Sequence, residues 1–234
     1  MTDLHSHILP NIDDGSESCE QSLEMLKMLS SQGVTRVVAT PHFYADKMTV
    51  TEFLQNRDNA FSRLSKELTP DLPQIVLGAE VSYYEGISHL ENLKSLQIEN
   101  SDFLLLEMPF KKWSKFTVSE LLGLSANGSL TVVIAHIDRY LKFIDRQLID
   151  LLIQNGILFQ VNAEAFSSYF LRKKVLKLLN CGAIHFIGTD SHNITDRKPN
   201  YDIAKNALIK KFGSKFFESF VDLGNRIFPD YKFE

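Results

Sequence analysis

The chain has 234 residues, with 25 Lys plus Arg against 29 Asp plus Glu and a formal net charge of −4. Hydrophobic residues make up 44% and charged residues 23%, which excludes a disordered chain, and the acidic balance argues against a nucleic-acid binder. Two cysteines, Cys19 and Cys181, are too few for a disulfide scaffold, and apolar runs as short as 103–106 and 132–135 cannot span a membrane.

The rhythm along the chain is a short β-rich run, a polar tip and a helical stretch, with no repeat or linker. Strand 2–5 opens it. A helix follows, with Ser18-Cys19-Glu20-Gln21 as a capping box, Leu23, Leu26, Met28 and Leu29 as apolar positions, and Gly33 as its stop. Strand 35–40 leads to a helix opened by Thr49-Val50-Thr51-Glu52, whose apolar face includes Phe53, Ala60, Leu64 and Leu68. Strand 74–80 precedes a segment, 86–96, that fits neither period. Strand 102–107, helix 118–125, strand 131–136, helix 145–154, strand 157–162, helix 171–180 and strand 183–190 continue the alternation. Two helices around Gly213 fill 202–228. Most strands are continuous runs of Val, Ile, Leu and Phe, which suits parallel strands covered on both faces. Seven strands without a linker predict an α/β fold in one domain over 1–234. A TIM-like barrel, complete or incomplete, is the expected architecture, and an open doubly wound sheet is the alternative. The start, Met1-Thr2-Asp3-Leu4-His5, has neither a basic nor an apolar leader region, so a cytoplasmic protein is expected.

Almost every strand ends in a metal-type ligand. The first ends in His5-Ser6-His7, with Asp14 in the loop beyond, and the second runs into Thr40-Pro41-His42. The third ends at Glu80, the fourth at Glu107, the fifth at His136, and the seventh at Asp190-Ser191-His192. In parallel β/α folds these ends share one face, where active sites are built. Five of the seven histidines and four carboxylates would therefore meet. Taken singly, each has an ordinary reading: a part-exposed histidine pair, a turn at Asp13-Asp14-Gly15, a surface ion pair, a helix N-cap at Asp190. Their joint occurrence at successive strand ends is what those readings handle badly. Nitrogen and oxygen donors without sulfur suit Mn²⁺, Fe²⁺, Co²⁺ or Zn²⁺, and nine of them suit two or three ions. His89, in the irregular segment, and His185, inside the last strand, read as structural.

The blocks Asp3-Leu4-His5-Ser6-His7-Ile8-Leu9-Pro10, Asp13-Asp14-Gly15-Ser16, Ala39-Thr40-Pro41-His42, Gly78-Ala79-Glu80, Ala135-His136-Ile137-Asp138-Arg139-Tyr140 and Gly188-Thr189-Asp190-Ser191-His192 carry a resemblance. Together they resemble the PHP superfamily of polymerase and histidinol phosphatase domains. Within it they resemble the bacterial manganese-dependent protein tyrosine phosphatases of capsule and exopolysaccharide clusters. The resemblance implies the PHP fold, a distorted (β/α)7 barrel with its active site at the C-terminal strand ends and a trinuclear centre. His5, His7, Glu80 and Asp190 would hold one metal, and Glu80, Glu107 and His136 a second, with Glu80 bridging. Asp14, His42 and His192 would hold the third. Arg139 and Arg197 fall at the family's phosphate-binding arginines. The implied cofactors are two or three divalent ions, foremost Mn²⁺. The implied activity is hydrolysis of phosphotyrosine by a metal-activated hydroxide. The implied partner is the Tyr-rich tail of a membrane-associated bacterial tyrosine kinase that regulates capsule synthesis, with no nucleic acid and no direct membrane insertion.

Phosphate-ester hydrolysis needs an activated water and charge neutralisation, which metals and arginine forks supply. Phenolate leaves readily, with a pKa of about 10, so no general acid is assigned. A cysteine route needs an arginine six positions after the thiolate; those positions hold Met25 and Ile187. The rival functions are a small-molecule phosphoesterase of the histidinol-phosphatase type, a PHP nuclease-like module and a non-catalytic barrel. The segment 111–116, with Lys111, Lys112, Trp113, Lys115 and Phe116, is either a rim that contacts an acidic phosphopeptide or a solvated loop with one aromatic anchor.

Overall fold

The computed structural model describes residues 1–126, 128 and 130–226. Nine strand segments stand where seven strands are expected, because one expected strand breaks in two and a short extra strand follows another. Pro41 has no N–H to donate, and the run expected over 35–40 ends before it as β2 (Arg36–Ala39), with an unexpected short strand, β3 (His42–Phe43), just beyond. The run expected over 74–80 divides at Gly78-Ala79 into β4 (Gln74–Leu77) and β5 (Glu80–Ser82). The other strands are β1 (Thr2–Ser6), β6 (Phe103–Glu107), β7 (Thr131–Ile134), β8 (Leu158–Asn162) and β9 (Phe186–Gly188).

All pairings are parallel. One sheet has the order β1-β2-β4, the other β3-β5-β6-β7-β8-β9. The two interruptions carry the chain from the first sheet to the second and set His42 in register with Glu80. Past the end of β9, the Asp190 amide donates to His5 O at 2.7 Å and the His7 amide donates to Ser191 O at 2.9 Å. Those bonds return the chain after β9 to β1. Leu4, Val38, Val76, Leu105, Val133 and Phe186, from six different strands, pack into one buried cluster. A second, larger cluster lies between strands and helices and includes Val37, Leu104, Phe159 and Val161.

The helices are α1 (Cys19–Ser31), α2 (Val50–Leu64), α3 (Lys115–Ala126), α4 (Arg146–Gln154), α5 (Tyr169–Asn180), α6 (Tyr201–Phe212) and α7 (Ser214–Arg226). Ser18 caps α1, accepting from the Gln21 amide, but the box is half made, since Gln21 Oε1 takes the Glu17 amide instead. Thr49 and Glu52 make the full reciprocal box on α2. Lys115 and Phe116 belong to α3 rather than to a loop, because Ser114 Oγ caps Thr117 and starts the helix early. The irregular segment forms two short 3₁₀ helices, Ile87–His89 and Leu93–Leu96. α6 and α7 meet at Gly213, whose φ of 87° lies in the left-handed region that favours glycine. The end expected at 227–228 lies outside the described residues. Among the described residues no helix is long and apolar enough to cross a membrane.

Candidate metal centre

The fold brings all nine expected donors together, although not all of them sit at C-terminal strand ends. His5 lies on β1, with His7 just past its end, and Asp14 comes from the following loop. His42 starts β3, Glu80 starts β5 and Glu107 ends β6. His136 follows β7, and Asp190 and His192 follow β9. Donor atoms of His7, Asp14, His42 and His192 lie within 4.8 Å of one another, as do those of His5, His7 and Asp190, and those of His42, Glu80 and Glu107. His136 Nε2 lies 2.9 Å from Glu80 Oε1 and 3.5 Å from Glu107 Oε1. The grouping overlaps more than the family pattern implies: His7 serves two groups, and His42 also stands with Glu80 and Glu107.

Glu80 is buried at the centre. Its Oε2 lies 3.1 Å from His5 Nε2, 3.3 Å from His7 Nε2 and 3.1 Å from His42 Nδ1. Yet Oε2 has no hydrogen bond of acceptable geometry, and neither do His42 Nδ1, His136 Nδ1 and His192 Nε2. His5 Nε2 and His7 Nε2 face each other at 3.1 Å. Buried polar atoms that crowd together without bonding are costly. They fit divalent cations, which accept several imidazole and carboxylate donors at once.

The electrostatics describe one charged cluster. Burial disfavours the His7 imidazolium, but Asp13 and Glu80 outweigh it and raise its pKa to about 10. Burial likewise opposes the His136 cation, and its bonds to Glu107 and Glu80 raise it to about 9. Burial lowers His42 and His192, and the charge on His7 lowers both further. Burial would raise Glu80 and Asp190, but the surrounding imidazoles hold Glu80 well below the usual carboxylate range, and His5, His7 and Arg139 do the same to Asp190.

Two arginines close on Asp190. Arg139 Nη2 donates to Oδ2 and Arg197 Nη2 donates to Oδ1 at 3.0 Å. Arg197 Nη1 also lies 3.6 Å from Asp14 Oδ2. Both arginine side chains are half-buried, at 37% and 38% exposure, so a ligand can still reach them. His136 and Asp190 have φ of 31° and 52°, uncommon for side-chain-bearing residues, so backbone strain is held at two of the nine positions.

Other site residues escape strand-end reasoning. Asp13 Oδ2 pairs with His7 Nδ1 at 2.7 Å and accepts the His42 amide at 2.9 Å. Gln160 Oε1 accepts from the His136 amide at 2.7 Å and lies 3.2 Å from His5 Nδ1. Asn162 Nδ2 donates to Asp190 Oδ2 at 2.9 Å. The signal was present: strand 157–162 is the one run without a ligand at its tip, yet it carries two amides on alternate positions. Phe110, 54% exposed, stacks on His136 with centroids 6.1 Å apart and planes at 14°. Tyr44 packs on His42 at 5.3 Å and, with Tyr83 and Tyr84, lines an adjoining cavity of about 610 Å³. In segment 111–116, Trp113 is the buried anchor and donates to Pro109 O, while Lys111 and Lys112 are exposed. His89 is exposed in its 3₁₀ helix, and His185 accepts the Phe159 amide away from the cluster. Cys19 and Cys181 are free thiols outside it.

Fold and site together define a parallel α/β protein with a buried histidine–carboxylate centre able to hold divalent metal. The chain belongs to the CpsB/CapC family of capsular polysaccharide synthesis, whose model matches residues 1–226. It is 31% identical to the tyrosine-protein phosphatase CpsB of Streptococcus pneumoniae over 98% of this chain and 99% of that protein. It is 29% identical to the tyrosine-protein phosphatase YwqE of Bacillus subtilis (strain 168), over 92% of this chain and 86% of the relative. A chain from the crystal structures of YwqE and CpsB, described as metal-dependent tyrosine phosphatases, matches 100% of this chain and 96% of its own length. Its TM-score is 0.83 at 24% identity, a likeness of fold.

Proposed function

We propose that this protein is a metal-dependent protein tyrosine phosphatase of capsule or exopolysaccharide synthesis, working in the cytoplasm as one domain over 1–234. We read the two sheets as one distorted (β/α)7 barrel, supported by the interior cluster shared by six strands. The observation that carries the function is the pair of half-buried arginines converging on Asp190 beside the donor cluster.

His5, His7, Asp14, His42, Glu80, Glu107, His136, Asp190 and His192 would hold two or three divalent ions, Mn²⁺ foremost. The chemistry supplied by ions held there is an activated water at neutral pH and neutralisation of phosphoryl charge. Arg139 and Arg197 bind the non-bridging phosphoryl oxygens, for which a planar fork is the better match. Phe110 and Tyr44 flank the donors and offer faces to the tyrosyl ring. Asp13, Gln160 and Asn162 orient His7, His5 and Asp190. The substrate we propose is the phosphorylated Tyr-rich tail of a membrane-associated bacterial tyrosine kinase.

The test strips metal with a chelator, restores Mn²⁺, and compares a phosphotyrosine peptide with histidinol phosphate and a phosphodiester. Mn²⁺-dependent turnover of the peptide is expected, abolished by His136→Ala and untouched by Cys181→Ser. Full activity without metal overturns the mechanism, and preference for histidinol phosphate overturns the substrate.

A further inference from the structure

Away from the donor cluster, positive charge concentrates where α5 lies beside α6. α5 carries Arg172, Lys173, Lys174 and Lys177 and no carboxylate. α6 adds Lys211 there, while its Lys205 donates to Gln32 O and its Lys210 does not line the groove, and Asp202 in its first turn is its one carboxylate. This is a departure for a chain of net charge −4. Tyr169, Arg172, Lys173 and Lys177 recur at helical spacing and share one face of α5. With Lys211 and Phe212 they line a groove of about 510 Å³. Among the described residues no ion pair involves Arg172, Lys173, Lys177 or Lys211, so the groove's cations are uncommitted.

α5 follows β8 in the chain, so its N-terminal end lies on the side of the fold where the donors gather. α5 begins seven positions after Asn162, which bonds Asp190. At that upper end Tyr169 and Phe170 are 66% and 78% exposed and meet edge to face at 5.4 Å. A twelve-residue helix is about 18 Å long, which five or six residues of extended chain cover.

We propose that the α5–α6 groove docks an acidic, phosphotyrosine-bearing segment of the substrate protein while another phosphotyrosine of the same chain occupies the metal centre. The proposal rests on the phosphatase reading above. Phosphate and carboxylate groups pair with Arg172, Lys173, Lys177 and Lys211, and tyrosyl rings pack on Tyr169 and Phe212. A chain held at both places presents its next phosphotyrosine at high effective concentration. Because the cations line a recess rather than a flat face, a polypeptide fits better than a lipid surface.

The test uses the full, Mn²⁺-loaded chain and the triple variant Lys173→Glu, Lys177→Glu and Lys211→Glu. Its substrates are a small aryl phosphate and a long acidic peptide carrying two phosphotyrosines. The variant is expected to raise KM for the long peptide about tenfold, with kcat and both constants for the aryl phosphate unchanged. Salt should raise the wild-type KM for the long peptide more than the variant's. Arginine at the three positions should keep the wild-type KM. An unchanged long-peptide KM overturns the docking site and leaves the phosphatase reading standing. A wild-type chain that hydrolyses no aryl phosphate overturns that reading itself. If the variant instead loses binding to phosphatidylserine vesicles while its peptide KM holds, the groove faces lipid and the proposal is overturned.

Discussion

Asp13 grips His7: its Oδ2 lies 2.7 Å from His7 Nδ1 and also accepts the His42 amide at 2.9 Å. One carboxylate thus fixes the ring of one donor and the backbone of another. Carboxylates in this position hold the tautomer and raise ligand basicity. Asp13→Asn keeps the shape and removes the charge. Metal affinity should fall about 10- to 100-fold, with activity recovered at higher Mn²⁺. Competition against a chelating dye reads this directly, and unaltered affinity would reduce the contact to packing.

Gly188 lets β9 lie against β1. A Cβ there would sit 2.6 Å from His5 Cβ and 2.8 Å from Gln160 Nε2, closer than real contacts allow. Gly188→Ala therefore has to displace His5 or its partner Gln160. The expected cost is about 1–3 kcal/mol of stability, together with weakened metal binding. Denaturant unfolding of the chelated protein separates the two effects, and a loss of stability below the noise would show that the strands can part without strain.

Arg139 and Arg197 share Asp190, so their effects should not add. Each single alanine variant should raise KM for an aryl phosphate about tenfold or more, the scale of a charged hydrogen bond. The double variant should fall short of the product, because both act on one carboxylate and one phosphoryl group. Strict multiplicativity in steady-state kinetics would show that they act on separate groups.

Phe110 stacks on His136 with half its surface open. If it also receives the tyrosyl ring, Phe110→Ala should raise KM for phosphotyrosine about three- to tenfold and leave an alkyl phosphate unaffected. Equal effects on both substrates would assign Phe110 to holding His136 instead.

The convergence of the nine side chains is legible in the sequence because all but Asp14, which lies in a loop, close or follow an apolar run, where a charged side chain needs a reason to be. The register of His42 with Glu80 is less so, since it depends on an extra strand after one run, a break in another and a change of sheet at both. Gln160 and Asn162 are uncharged, and an amide at a strand tip is ordinary until its neighbours are known. Asp13 is masked by Asp14, because adjacent acids before a glycine read as a turn. The α5–α6 groove cannot be read from either helix alone, as residues of both line it.

His185 gives a pH test outside the metal centre. Its Nδ1 accepts the Phe159 amide at 3.1 Å, which requires the neutral ring, and burial lowers its pKa from 6.5 to about 4. As pH falls, the unfolded chain takes up this proton before the folded one. The stabilisation is therefore complete above about pH 6.5 and is lost between there and about pH 4. The whole loss amounts to about 3 kcal/mol. His185→Gln retains an acceptor without a titration in this window. Its stability, measured by urea unfolding of metal-free protein, should therefore fall less steeply with acid than that of the wild type. Parallel curves for the two proteins across pH 4 to 6.5 would show that the ring is solvated well enough to charge in place.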